Sequence, residues 1–417
     1  MRDMLGRNEL IAVEQALHLM LHSSALKTSD EIEMSIEEAY SFILSRDIRS
    51  PENLPHFAKS TVDGYAVKSS DTFGATEGFP SYLKIIDEVL MGEVPLFHIT
   101  KGEAAKIATG GMLPEGTDAV VMLEHTQLID ETTIEVVKPV SPGGHVIQIG
   151  EDVKKGERIL EKGTRLKPQD IGALAGLGIT DITVFRKPIV SVIGTGDEIV
   201  PPEKPLAPGQ VRDINSYTLS GLIQEAGGTA LKRGIIKDDY SSIRGIMEEC
   251  LKDSHMVLIT GGSSVGSKDL TENVINDCGK PGVLFHGLSL KPGKPTIGGI
   301  VNGVPVFGLP GHPAAIVICY KLIVQPVLYR IAGLCADKNP EIKKNVRARI
   351  SKNISSSPGR EEHIGVTLEE REGEIWAIPL LGKSGLITTL SKADGTAVIP
   401  LNKLGVHKGE LVEVRFF

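Results

Sequence analysis

Six carboxylates that stand in turns, Asp63, Asp152, Glu198, Asp238, Asp239 and Asp269, and a lysine pair, Lys291 and Lys294, are the side chains best suited to chemistry in this sequence. Carboxylates bind Mg2+, which keeps several waters and bridges to substrate phosphate, while lysines and backbone amides hold oxyanions directly. The sharpest setting is residues 258–269, Leu-Ile-Thr-Gly-Gly-Ser-Ser-Val-Gly-Ser-Lys-Asp, where an apolar strand runs into a glycine-rich turn. Gly261, Gly262 and Gly266 permit positive φ and carry no Cβ, so backbone N–H groups can converge on an oxyanion at the start of a helix. Asp269 would repel a bare phosphate and reaches one only through a cation. Such a turn also serves as a plain tight connection, so the weight rests on several loops together.

Other chemistries lose support. There is no nucleophile elbow, no His-Glu-x-x-His, no Walker lysine motif and no full dinucleotide fingerprint. His98, His125 and His145 lack ligand spacing. A formal charge of −8 argues against non-specific nucleic-acid binding. The four cysteines, Cys250, Cys278, Cys319 and Cys335, form no Cys-x-x-Cys pair, which points to reduced cytosol rather than a zinc cage or a disulfide framework. The N-terminal residues carry charges where a signal peptide is apolar, and the most apolar run, Ala314–Leu334, contains Lys321, Gln325, Pro326 and Arg330. Neither an export signal nor a membrane span is expected.

The elements that must position these residues follow from periodicity. A length of 417 residues and 41% hydrophobic content imply more than one core, about three at roughly 150 residues each. Residues 9–26 and Ser35–Leu44 show helical spacing. Asp63-Gly64 marks a tight turn beside a short strand, and Asp63 also reads as a plain turn residue. Residues 82–140 form a separate β module with strands Leu83–Val89, Glu103–Thr109, Ala119–Leu123 and Thr133–Val137. Its loop from Thr109 to Asp118 offers a hydroxyl and free amides, and the turn Gly150-Glu-Asp152 follows.

From Lys187 the texture alternates: strand 188–194, helix 216–226, strand 230–236, helix 240–252, strand 255–260 and helix 270–278. This predicts right-handed βαβ units, a largely parallel sheet and helices on both faces, with ligands at the carboxyl ends of the strands. Three loops there carry polar chemistry: Gly194-Thr195-Gly196-Asp-Glu198, Lys237-Asp238-Asp239, and the glycine loop after Thr260. Lys291-Pro292-Gly293-Lys294 is a stiffened cationic loop, Asn302-Gly303 a hairpin turn, and Pro310-Gly311-His312-Pro313 leads into a long apolar helix. Beyond residue 345 short strands predict a small barrel or sandwich, and Ser384 sits in a turn within it.

These motifs, in this order, resemble the molybdopterin molybdenumtransferases, known as MoeA in bacteria and as the gephyrin E domain in animals. The resemblance rests on Ser60-Thr-Val-Asp63-Gly-Tyr-Ala, Thr109-Gly, Gly150-Glu-Asp152, Gly194-Thr-Gly-Asp-Glu198, Thr260-Gly-Gly-Ser-Ser-Val-Gly-Ser-Lys-Asp269, Lys291-Pro-Gly-Lys-Pro295 and Gly308-Leu-Pro-Gly-His-Pro313, and covers nearly the whole chain. It implies a multidomain α/β protein with a central three-layer molybdopterin-binding domain, residues 1–29 and 187–331. The remaining domains would be a discontinuous linker, residues 30–50 and 150–186, a β-rich domain at 51–149 and a C-terminal β-barrel at 332–417.

The implied reaction is molybdenum insertion into adenylylated molybdopterin with release of AMP, assisted by Mg2+. Implied catalytic residues are Asp63, Thr109, Asp152, Glu198, Asp269, Lys291 and Lys294, with Glu198, Asp238, Asp239 and Asp269 toward the metal. Gly194, Thr195, Gly196, Gly261, Gly262, Ser263, Ser264, Gly266, Pro292, Gly293, Pro310, Gly311, His312 and Ser384 would line the ligand site. The resemblance also implies a cytoplasmic homodimer, with molybdopterin adenylyltransferase upstream and molybdoenzymes or their chaperones downstream, and neither nucleic acid nor membrane as partner. Alternatives are a tungsten-inserting paralogue and a non-catalytic carrier or scaffold. His145, Gln148, Gly287 and His312 depart from the residues common in the family at those positions.

Overall fold

A computed structural model describes residues 10–261, 267–335, 345–380 and 387–417, without the side chains of residues 267–269 and 387. The chain forms two compact units: Met1–Arg46, Lys162–Ile171 and Thr180–Phe417 in one, Asp47–Glu161 and Gly172–Ile179 in the other.

The larger unit is built on a sheet of six strands: β1 (Ile189–Thr195), β2 (Thr229–Ile236), β3 (Met256–Gly261), β4 (Pro281–His286), β5 (Ile297–Val301) and β6 (Val304–Leu309). Their spatial order is β2-β1-β3-β6-β5-β4, and β2, β1, β3 and β6 run parallel. Helices α1 (Asn215–Glu225), α2 (Tyr240–Asp253) and α3 (Ser267–Cys278) alternate with the strands, as the sequence predicts. Strand side chains point alternately to two dry faces. Val190, Val192, Leu258 and Phe307 pack into one cluster with α1 and the helix after β6, whereas Ile193, Val257, Ile259 and Val306 pack into another with α2 and α3. Burying each such side chain contributes about 1.5–3 kcal/mol, which makes the sheet the rigid base of this unit.

Antiparallel β5 and β6 are joined by the expected Asn302-Gly303 turn, both residues at positive φ. The apolar helical stretch Pro313–Ile331 is long enough to cross a bilayer, yet most of it is buried against the sheet, as a core helix is. Five further strands, β7 (Asn345–Ile350), β8 (Glu361–Arg371), β9 (Glu374–Pro379), β10 (Gly395–Ile399) and β11 (Leu411–Phe416), pair in the order β8-β9-β7-β11-β10. A β10–β8 pairing closes them into a barrel, which resolves the choice between barrel and sandwich. The smaller unit carries a six-stranded sheet that includes Gly64–Val67, Ser81–Val89, Glu103–Ile107, Ala119–Met122 and Thr133–Val136.

One expected helix is absent. Of Ser35–Leu44, Ser35 ends the strand Glu31–Ser35, which pairs with Asp181–Phe185, turns follow, and Ile43–Leu44 is a second short strand. The apolar residues Ile36, Ala39, Ile43 and Leu44 are buried as the spacing requires, but strand pairing claims the backbone of Ile43 and Leu44, and Ser41 turns the chain to φ 68°. Strand β4 was not anticipated either; its short run Val283–Phe285 shows no clear alternation.

The barrel interior is apolar, filled by Ile350, Val366, Ala377, Ile399 and Val414, and on the opposite face of the same strands lies a buried polar network. His363 is buried, its Nε2 lies 2.7 Å from Glu361 Oε1 and its Nδ1 lies 3.1 Å from Thr396 Oγ1. Burial pushes the Glu361 carboxyl up, but the His363 hydrogen bond and charge and the Arg415 charge outweigh it and hold the group below its ordinary value. A depressed carboxyl stabilises the fold above its unfolded value and loses that contribution as pH falls through the folded one. Replacing Glu361 by Gln is expected to destabilise the barrel by about 2–4 kcal/mol at neutral pH, with the gap to wild type closing as pH drops below 4.5. The single tryptophan, Trp376, lies in β9, so urea unfolding followed by its fluorescence reads this domain directly.

Candidate functional site

The register of the large sheet brings its loops to one edge. Thr195 lies opposite Ile236 and Gly261, Thr260 opposite Leu309, Gly308 opposite Ile297, and Ile297 opposite His286. The loops beginning at Gly196, Lys237, Gly261, Gly287 and Pro310 therefore leave the same carboxyl edge. A cavity of about 280 Å3 opens there, lined by Gly261, Thr271, Pro292, Gly293, Gly311 and His312 among others. Pro310 also borders it, while Gly194 and Thr195 are buried at the end of β1.

Two glycines make this edge possible. At Gly261, φ is 120° and a Cβ would stand 1.8 Å from the Thr195 carbonyl oxygen, so only a bare Cα lets β3 finish against β1. At Gly293, φ is 132° and a Cβ would strike Cys319 Sγ and Leu290 at 2.7 Å. Beneath that loop, buried Thr296 donates from Oγ1 to the Gly293 carbonyl at 2.7 Å. Burial pushes the Cys319 thiol up to about 12, so it packs as an inert apolar group. Asn215, at the start of α1, donates from Nδ2 to Thr260 Oγ1 at 3.1 Å and to the Gly311 carbonyl at 2.8 Å, locking two of the loops together.

Charge is segregated along the edge. Burial raises the Asp238 carboxyl above its ordinary value, and the negative charges of Asp197, Glu198 and Asp239 raise it further. These acids stand close enough to repel one another, a tension a cation relieves. Asp239 also has a local role as the N-cap of α2: Oδ1 accepts from Ser242 N at 2.9 Å and from Ser241 Oγ at 2.6 Å. Hydrogen bonds from Ser241 and Ser242 pull its carboxyl down to about 2. Among the described residues no three His, Cys, Asp or Glu side chains gather as a protein-only metal cage. Mg2+ commonly takes only one or two carboxylates beside water and substrate phosphate, a requirement this acidic edge fits.

The two lysines differ. Lys291 forms an ion pair of 2.8 Å with Glu362, whose other oxygen accepts from Ser356 Oγ at 2.6 Å. Its backbone pairs in parallel with Glu361–Glu362, so β8 of the barrel fixes where it stands. Lys294 meets no carboxylate among the described residues and is half-buried beside the cavity-lining Gly293 and Pro295. At the neighbouring strand end, His286 Nδ1 hydrogen-bonds the Glu272 carboxylate, next in sequence to the cavity-lining Thr271.

In the smaller unit the structure joins two expected residues. Asp63 Oδ1 accepts from Thr109 N at 2.7 Å and from Thr109 Oγ1 at 3.0 Å, and these bonds, the backbone one foremost, hold the Asp63 carboxyl below its ordinary value. Asp152 is an exposed turn residue whose N–H donates to the Leu54 carbonyl at 3.1 Å. Gly262, Ser263, Ser264, Gly266, Ser384 and the Asp269 side chain lie outside the described residues. Asp197, Asn215, Thr271, His286, Glu272 and Glu362 were not picked out from sequence. Asp197 adjoins Glu198 in an acidic turn and was within reach; the others read as ordinary helix or strand residues until the fold brings them together.

Three family descriptions match the chain: the MoeA N-terminal region (domain I and II) over residues 11–178, a probable molybdopterin binding domain over 191–330, and the MoeA C-terminal region (domain IV) over 347–417. A putative molybdopterin biosynthesis protein of Methanocaldococcus jannaschii is 37% identical, covering 92% of this chain and 91% of its own. The molybdopterin molybdenumtransferase of Haemophilus influenzae is 31% identical over 98% of this chain and 99% of its own. The crystal structure of a MoeA molybdopterin biosynthesis protein from Pyrococcus horikoshii superimposes with a TM-score of 0.83 at 32% identity, covering 98% of this chain and all of that one. Similarity of this extent, spread over every domain, places the chain in the MoeA family.

Proposed function

We infer that this protein is a molybdopterin molybdenumtransferase, an enzyme of molybdenum cofactor biosynthesis, and that its substrates are adenylylated molybdopterin and molybdate, with AMP as a product. The observation that carries this reading is the single sheet edge at which an acidic cluster, Asp197, Glu198 and Asp238, shares space with the Lys294 loop and the Gly261 turn. An edge of that kind suits a ligand with phosphate groups and a metal oxyanion. Relatives from Bacillus subtilis, Haemophilus influenzae and a Nostoc species, at 30–31% identity, are named molybdenumtransferases, which disfavours the tungsten alternative.

In this mechanism, amides of the Gly261 turn and the Lys294 ammonium hold phosphate oxygens as charge builds on them during cleavage of the adenylyl bond. Glu362 neutralises Lys291 and orients it, so that Lys291 positions the loop while Lys294 contacts the substrate. Asp238 and Glu198, with Asp269, would hold Mg2+, which when bound offsets phosphate charge. In the smaller unit, Asp63, whose carboxyl Thr109 holds below its ordinary value, and Asp152 would also serve catalysis. We further propose a cytoplasmic homodimer of four-domain subunits, supplied by molybdopterin adenylyltransferase and serving molybdoenzymes or their chaperones. Four free cysteines support a reducing compartment.

Purified protein given adenylylated molybdopterin, molybdate and Mg2+ is expected to release AMP and yield cofactor that reconstitutes a molybdoenzyme; bound substrate without AMP release would sink the reading. Lys294→Gln should lower kcat by about 100-fold with the thermal midpoint unchanged, since it removes a charge aimed at the reacting phosphate and no side-chain bond among the described residues. Asp63→Asn keeps an acceptor for the Thr109 N–H but loses the charge. Turnover about tenfold below wild type or lower, with native stability, is expected if the charge is used; undiminished turnover assigns Asp63 a purely structural role.

A further inference from the structure

The opposite, amino-terminal edge of the same sheet holds a second cavity, of about 360 Å3, bordered by Ser41, Arg165, Lys187, Glu225, Gly227 and Thr229 among others. Lys187 stands two residues before β1 and Thr229 begins β2, directly opposite Ile189, so this cavity is a full strand length from the carboxyl edge.

Two cations face it in an unusual way. The Arg165 guanidinium lies 5.2 Å from the centroid of the Tyr329 ring and donates from Nη2 to the Ala226 carbonyl at 2.7 Å. Its Nε is buried and has no acceptor among the described residues. The Lys187 ammonium lies 4.4 Å from the centroid of the Phe42 ring. Neither cation has a carboxylate partner among the described residues, although the chain carries a net charge of −8. Glu225 also borders the space, but it is tied to Lys321 at 3.3 Å.

Aromatic faces fix a cation in place without accepting its hydrogen bonds. Arg165 and Lys187 are therefore held in position with most of their donors and their full charge left for the cavity. An acceptor-rich anion takes up those donors and that charge, whereas a neutral or cationic ligand does not. Ser41 borders the same wall and carries a further donor in its hydroxyl.

We propose that this cavity is a second anion site, separate from the substrate edge, that binds a small oxyanion of the phosphate class through Arg165, Lys187 and Ser41. Its occupation ties the segment around Ser41 and that around Arg165 to the amino ends of β1 and β2. The two segments are already joined by bonds from Ser41 N to Leu166 O at 3.1 Å and from Leu44 N to Thr164 O at 3.0 Å.

Hydrogen–deuterium exchange of the full chain gives a readout local to these amides. With inorganic phosphate at about nine times its Kd, exchange over residues 41–44 and 164–166 is expected to slow roughly tenfold, by mass action. Lys187→Gln should remove this protection, and Lys294→Gln, at the other edge, should leave it intact. Arg165→Gln also loses the Ala226 bond and can perturb α1, so Lys187→Gln is the deciding variant. AMP in place of phosphate tells whether the site takes a free ion or also a phosphate ester; protection by either supports it. Unchanged exchange at these residues with both probes, protection that survives Lys187→Gln, or protection lost equally in Lys294→Gln would overturn the proposal.

Discussion

The central strands β1, β3, β6 and β5 of the larger unit's sheet are buried on both faces, and this dryness decides where polar chemistry can be placed. Val190, Val192 and Leu258 on one side and Ile193, Val257 and Ile259 on the other leave no room for an unpaired polar group. The exception shows the rule: buried Ser191 bonds Ser254 and Arg233, and Arg233 pairs with Asp253. Polar side chains are thus driven to the strand ends. At the carboxyl ends they meet loops that converge because the strands are parallel, which is why residues far apart in sequence share one cavity.

The barrel bears on this site through one short pairing. Leu290–Lys291 runs beside Glu361–Glu362, and the same stretch of β8 supplies the Lys291 ion pair and the buried Glu361–His363 bond. A lysine held by a carboxylate is a poor anion ligand, and what it gains is position. The loop it anchors passes through cis Lys291-Pro292 and the packed Gly293 before presenting Lys294. The two lysines of one motif therefore differ in their charge environment because the barrel neutralises Lys291.

Much of this was legible in the sequence, because period-2 and period-3.6 patterns report burial, and burial is what the α/β sheet is made of. The alternation from residue 188 to 278 predicts the three sheet strands and three helices there to within about three residues, but not the short pair Ile199–Val200 and Val211–Arg212. The loops of the carboxyl edge were legible for a related reason: glycine, proline and charge cluster where the backbone turns. Asn215 and Glu362 were not, since an asparagine in a helix and a glutamate in a strand look unremarkable until Gly311 or Lys291 is brought against them. Ser35–Leu44 misled because its apolar spacing is real but its backbone is claimed by distant strands. Asp239 shows a third limit: the acidic pair was visible, but not that one member is bound up in capping α2.

The two ends of the sheet treat anions by different physics. Helices that follow parallel strands begin at the carboxyl edge, so their amino termini, with unpaired N–H groups and positive dipole ends, face any ligand there. Glycine-rich turns can then hold phosphate with backbone alone, and lysine adds to a field that is already favourable. At the amino edge the same helices end. The carboxyl terminus of α1 presents carbonyls, and Arg165 is spent in part on the one at Ala226. An anion is welcome at that end only where side-chain cations are fixed without being neutralised. Tyr329 and Phe42 fix Arg165 and Lys187 in that way.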